Sequence, residues 1–121
     1  MSTPAGHTSA IAASRVIGTA VYNTAGDNVG TIHDVMLDKL SNNIMFAVVS
    51  FGGFLGIGEK YHAIPWGSLD YEKSRGGYIV PYSKDQLEAA PAYSVEELTR
   101  EDGRTARDAS YDYYKVDPYW S

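Results

Sequence analysis

Five residues of this chain carry the chemistry to hold a divalent cation through nitrogen and oxygen: His33, Asp34, Asp38, Glu59 and His62. Imidazoles and carboxylates are ordinary ligands of such ions. Their spacing argues against one shared site. His33 and Asp34 are neighbours, so on a strand they point to opposite faces. Asp34 and Asp38 share a face in a regular strand, but carboxylates beside a turn ordinarily solvate. Acid–base catalysis needs paired groups with shifted proton affinities in one cleft. Asp34 with His62 is the best pair available, and no spacing joins them. Ser50 and Ser68 lack the Gly-x-Ser-x-Gly frame of a nucleophile elbow. No residue is assigned a catalytic, cofactor-binding or metal-binding role, and the chain reads as non-enzymatic.

The glycine run points elsewhere. Gly52, Gly53, Gly56 and Gly58 have the order Gly-Gly-x-x-Gly-x-Gly. That is neither the dinucleotide fingerprint nor the nucleotide loop ending in Gly-Lys-Ser/Thr. No helix start follows to offer a dipole to phosphate. A β-turn requiring positive backbone angles fits better. Solvated turns favour Asn, Asp or Ser, whereas this one carries Phe54, Leu55 and Ile57. An apolar tip of that kind is expected to be covered by another segment of the chain or by a partner.

A second cluster closes the chain. Tyr111, Tyr113, Tyr114, Tyr119 and Trp120 are five of its fifteen aromatics. Tyr and Trp combine a large apolar area with a hydrogen-bonding tip, which suits interfaces. The segment is too short to fold alone. It straps its own domain, exchanges between subunits of a homodimer, or captures another protein. The expected contact residues are Phe54, Leu55, Ile57, Tyr113, Tyr114, Tyr119 and Trp120.

Composition sets the frame for these clusters. At 121 residues the chain allows one domain. The absence of cysteine excludes disulfides, thiol nucleophiles and thiolate metal sites. No run reaches the length of a membrane span. The start, Met1 to His7, lacks the basic and apolar regions of a secretion signal. A cytoplasmic protein without membrane insertion is expected. The net charge is −5. Residues 15–83 are near neutral, with five basic and six acidic side chains, while residues 84–121 carry five against nine. That balance offers little for phosphate neutralisation, so direct nucleic-acid binding is not expected. Asp112 and Asp117, interleaved with the tail aromatics, argue against base stacking.

The elements that position these residues follow from punctuation and periodicity. Residues 1–14 read as a disordered arm. A strand from Val16 to Tyr22 is followed by a turn at residues 23–28. The next strand, Val29 to Asp38, has two mixed faces, so it is expected to bend or bulge midway. Ile44 to Phe51 is apolar enough for a central strand. After the glycine turn, Lys60 to Ile64 forms a short strand whose pairing Pro65 ends. Residues 65–69 form a corner that tucks Trp66 and Leu69 inward. Tyr71 and residues 77–81 form the last hairpin. Ser83 to Gln86 and Ser94 to Glu97 both match the capping-box pattern. They predict helices over 84–89 and from Val95 to about Glu101. Residues 102–108 read as polar linker.

The run from Arg15 to Asn23, then Gly26 to Asp38, then Phe46 to Gly58 with Ile64-Pro65-Trp66, resembles the PRC-barrel family. The resemblance covers residues 14–83 and lies in the order and spacing of these blocks. It implies a mainly β fold, a small six-stranded β-barrel, often dimeric, here extended by short C-terminal helices and an aromatic tail. The implied division is 15–83 for the barrel and 84–121 for the extension. Relatives include the cytoplasmic domain of the photosynthetic reaction centre H subunit. Another is the C-terminal domain of a ribosome maturation factor that binds a small-subunit ribosomal protein. The H subunit's membrane helix and the maturation factor's preceding domain have no counterpart in this sequence, so neither partner is transferred. The resemblance implies a protein-interaction adaptor, a homodimer with an unidentified protein partner. Two alternatives remain open: a small-ligand or metal sensor using His33, Asp34, Asp38 or His62, and a factor associated with ribosome assembly.

Overall fold

The computed structural model describes residues 10–51 and 60–120. Strand β1 spans Ala20–Asn23, β2 Asn28–Leu37, β3 Ile44–Phe51, β4 His62–Pro65, β5 Asp70–Glu72 and β6 Gly77–Val80. They form one sheet in the order β4-β3-β2-β1-β6-β5. Neighbours are antiparallel except β1 and β6, which run parallel.

Chain connectivity forces this sheet to curl. Strands β4 and β5 are its two ends, yet they are joined by only Trp66–Leu69. Five residue steps reach at most about 17 Å. A flat six-stranded sheet would separate its end strands by about 24 Å. The corner is a short 3-10 turn, Trp66–Ser68, with Leu69 buried and Trp66 packed on the core. The ladder itself does not close: no pairing joins β4 to β5 among the described residues. The expected barrel is therefore a curled, open sheet.

Bulges give β2 its two mixed faces. Val29 is an extra residue against β1, and His33 is an extra residue against β3. Each extra residue reverses the side-chain alternation beyond it. Gly30 lies against Ser50, Phe51 and Val49 so closely that a Cβ would collide with the Ser50 carbonyl. Strand β3 matches its expected bounds and is buried on both sides. Ala47 and Val49 join the inner core with Val21, Ile32, Ile64, Val80 and Leu87. Phe46 and Val48 join an outer core with Met45, Tyr61, Ala63, Leu98 and Ala106.

The C-terminal third covers that outer face. Helix α2, Lys84–Ala89, is capped by Ser83, whose hydroxyl accepts from the Gln86 amide at 3.1 Å. Helix α3, Val95–Leu98, has the full reciprocal cap of Ser94 with Glu97. A 3-10 turn, Arg100–Gly103, leads into α4, Arg104–Tyr114.

Pro65 is the last paired residue of β4, opposite Phe46, and the strand ends there as expected. Two expectations are corrected here. The first strand does not begin at Val16; a short helix, α1, occupies Ala13–Val16, and Gly18 with φ 91 turns the chain into β1. Ala13 and Ser14 thus belong to an element and not to an arm. Residues 102–108 are not a linker, because Arg104 onward is helical. Ala106, Arg107, Ser110, Tyr111 and Tyr114 are its buried residues. Their three- and four-residue spacing is the stripe a packed helix needs.

Candidate functional site: the outer sheet face and its C-terminal cover

Helix α4 follows the left-handed Gly103 and ends in a Schellman turn. The Val116 amide donates to the Tyr111 carbonyl and the Lys115 amide to the Asp112 carbonyl, with Lys115 left-handed at φ 59. This turn folds residues 116–120 back toward the β2–β3 hairpin. There the Tyr119 hydroxyl donates to Asp38 Oδ2 at 2.9 Å. Trp120 lies over the Arg107 guanidinium, 3.7 Å from its carbon to the ring centroid. The Trp120 ring meets Tyr111 edge-on at 4.8 Å and Tyr119 at 5.0 Å.

The tail is pinned to the sheet by aromatic tips. The Tyr111 hydroxyl donates to the Met45 carbonyl at 2.9 Å, and burial pushes its pKa up to about 12. The Tyr113 hydroxyl donates to the Gln86 carbonyl at 2.7 Å. Tyr114 is buried and stacks on Tyr82 at 4.3 Å. Among the described residues its hydroxyl has no hydrogen-bond partner, and burial holds its pKa far above the ordinary tyrosine value.

Asp38 lies just beyond β2, in the turn. Its carboxylate also accepts the Leu40 amide at 2.9 Å and the Ser41 amide at 3.3 Å. The Tyr119 hydroxyl, followed by these amides, lowers its pKa to about 2. Sequence spacing treated Asp38 as a solvated turn acid or a cation ligand; here it receives the tail. On either side of it stand Leu37, 61% exposed, and Leu40, 94% exposed.

A second anchor holds α3 against the strand leading into β4. Tyr61 and Tyr93 exchange backbone hydrogen bonds at 2.6 and 2.7 Å. Lys60 Nζ meets Glu97 Oε1 at 3.1 Å. The Ser94 amide, then Lys60, draws the Glu97 pKa down to about 2.

The remaining candidate ligands are dispersed. His33 stacks on Tyr61 at 4.5 Å. Asp34 accepts its neighbour's amide, from Val35, at 2.8 Å. His62 is buried against Phe51, with ring centroids 4.4 Å apart. Burial lowers the His62 pKa, and a hydrogen bond to the Pro91 carbonyl opposes that shift. Its Nδ1 has no partner among the described residues. Asp34 and Asp38 do not share a regular strand face, because Asp38 has left the strand and Met45 bulges β3 opposite that end of β2. Among the described residues, no three acidic, histidine or cysteine side chains group as metal ligands would. Glu59, Phe54, Leu55 and Ile57 lie outside the described residues.

Sequence reasoning missed Arg107 and Gly103. The Ala106, Ser110, Tyr111, Tyr114 spacing carried a helical signal, but the polar identity of Arg107 and Ser110 hid it.

Over 81 residues the chain is 26% identical to an uncharacterized protein of Deinococcus radiodurans. The alignment covers 67% of this chain and only 28% of that relative's length. Among the described residues, no helix is long and apolar enough to cross a membrane. The PRC-barrel domain model matches residues 9–87, well over half of the chain, so the protein belongs to the PRC-barrel domain family.

Proposed function

We propose that this chain is a non-enzymatic protein-interaction module of the cytoplasm that self-associates and acts as an adaptor. The observation that carries the proposal is the surface around the docked tail. Leu37 and Leu40 project into solvent beside Asp38, where Tyr119 is tethered and Trp120 packs. Large aliphatic side chains next to half-covered aromatics make the anchor-and-rim composition that protein interfaces favour. The polar groups with chemical potential are meanwhile spent on architecture. Asp38 holds the tail, and Glu97 caps α3 and holds Lys60. Phe54, Leu55 and Ile57 are assigned to a second contact, with an outside partner. Tyr119 and Trp120 belong to the self-association surface, whereas Tyr113 and Tyr114 serve it by holding the tail in place.

Solution mass by light scattering over a concentration series tests this. The unaltered chain is expected to dimerise, and the L37E/L40E variant to remain monomeric with an unchanged melting temperature. A monomer at every concentration would overturn self-association. A dimer indifferent to L37E/L40E would move the interface away from the tail.

A further inference from the structure

Helix α4 is connected to α3 through an unusual turn. Glu101 (φ 52, ψ 45), Asp102 (φ 58, ψ 32) and Gly103 (φ 82, ψ −3) are three consecutive left-handed residues. L-residues other than glycine resist that region, because the Cβ crowds the following carbonyl. Two of the three are not glycine. A Cβ on Gly103 would meet Met45 Sδ at 3.3 Å, Met36 Cγ at 3.4 Å and the Leu98 carbonyl at 3.7 Å, none of them a prohibitive clash. The obstacle to a side chain there is the backbone angle. Exposed hydrogen bonds hold the turn, from Arg104 Nε to the Glu101 carbonyl and from the Thr105 hydroxyl to Glu101 Oε2. With right-handed angles at these three residues, α3 and α4 would run on as one helix from Val95 to Tyr114.

The segment beyond the turn is assembled within itself. Its Schellman turn, the Arg107–Trp120 stack and the Tyr111–Trp120–Tyr119 cluster all lie inside residues 104–120. It joins the rest of the fold through Ala106 in the outer core, Tyr114 in the inner core, and side-chain tips on Met45, Asp38, Gln86 and Tyr82. A unit built in this way can leave its own sheet and remake the same links elsewhere. The surface that fits it best is the one it already covers, presented by a second copy.

Resting on the self-association proposed above, we propose that residues 104–120 exchange between two copies of this chain. Each outer sheet face then receives the partner's α4 and tail, and the three-residue turn is the hinge. Strained hinges store the drive for such exchange. The occupant is a second copy, since Phe46, Val48 and Met45 are already shaped to this segment.

The test is the association constant of the full chain and two hinge variants, measured by light scattering after warming to allow exchange. G103A forces a side chain into the left-handed angle and favours the continuous helix. It is expected to raise the constant at least about tenfold. E101G/D102G relieves the closed turn and weakens the open helix. It is expected to lower the constant by at least about tenfold. Melting curves report whether each variant folds, and E101G/D102G decides the matter if G103A does not. Self-association that ignores both variants would overturn exchange and leave the proposed function standing. Monomers throughout, G103A included, would overturn both.

Discussion

The two faces of β3 bury apolar side chains by different means. On the inner side, Ala47 and Val49 meet Val21, Ile32, Ile64 and Val80, all supplied by the curled sheet itself. On the outer side, Phe46 and Val48 meet Leu98 and Ala106, which arrive from a segment about fifty residues further along the chain. The inner core is almost wholly aliphatic around Tyr78, Tyr82 and Tyr114. The outer one is fastened at its margin by polar tips: Tyr111 on Met45, Tyr119 on Asp38 and Lys60 on Glu97. The same strand thus carries one core enclosed by the curled sheet together with Leu87, Ala90 and Tyr114, and one closed by α3 and α4. That cover, which contributes Leu98 and Ala106 and follows a left-handed turn, is the part proposed to be traded between copies.

The largest expected effect tests whether the outer side is a core at all. Phe46 and Ile64 are both completely buried, one on each side. Phe46→Ala should cost about 3–5 kcal/mol and Ile64→Ala about 2–5 kcal/mol in urea unfolding. A cost near zero for Phe46→Ala would mean that the cover adds no packing energy, and the comparison would break.

A smaller effect separates two tyrosines of α4. Tyr111 donates a buried hydrogen bond, so Tyr111→Phe strands the Met45 carbonyl and should cost about 1–2 kcal/mol. The Tyr114 hydroxyl is buried without a partner among the described residues, so Tyr114→Phe removes an unsatisfied group. That change should be neutral or stabilising, within about 1 kcal/mol. Equal losses at both positions would show that the hydroxyl on the Met45 carbonyl does not fasten the cover.

Much of the sheet was legible because its signals are local. Ile44–Phe51 is a continuous apolar run, and the Ser94–Glu97 cap is four residues long; both form as read. The parallel pairing of Val21 with Tyr78 spans more than fifty residues, and nothing in either strand announces it. The bend in β2 was readable from its mixed faces, but the identity of the extra residues, Val29 and His33, depends on the register of its neighbours. At the candidate site the failure was one of polarity. Arg107 is buried because Trp120 covers its guanidinium, a contact closed across thirteen residues by the left-handed turn at Lys115. Asp38 resembles any turn acid until the tail reaches it.

Acid should act on the two faces unequally. Asp38 and Glu97 both have pKa values lowered to about 2, from ordinary values of 3.8 and 4.5. Their stabilisation is full above those ordinary values and is lost as pH falls toward 2, because the unfolded chain binds the protons first. His62 acts in the same direction from a higher start. Its folded pKa lies below 6.5, so its stabilisation fades as pH drops past that value. All three hold the C-terminal third to the sheet.

The two tryptophans make the comparison directly measurable, since Trp120 lies in the cover and Trp66 beside the inner core. In the W66F chain, Trp120 emission and the far-ultraviolet circular dichroism of the sheet would be followed together from pH 7 to pH 2. The Trp120 change is expected at the higher pH, with the sheet signal surviving it. Coincident transitions would contradict a separable cover and make the two faces one cooperative unit.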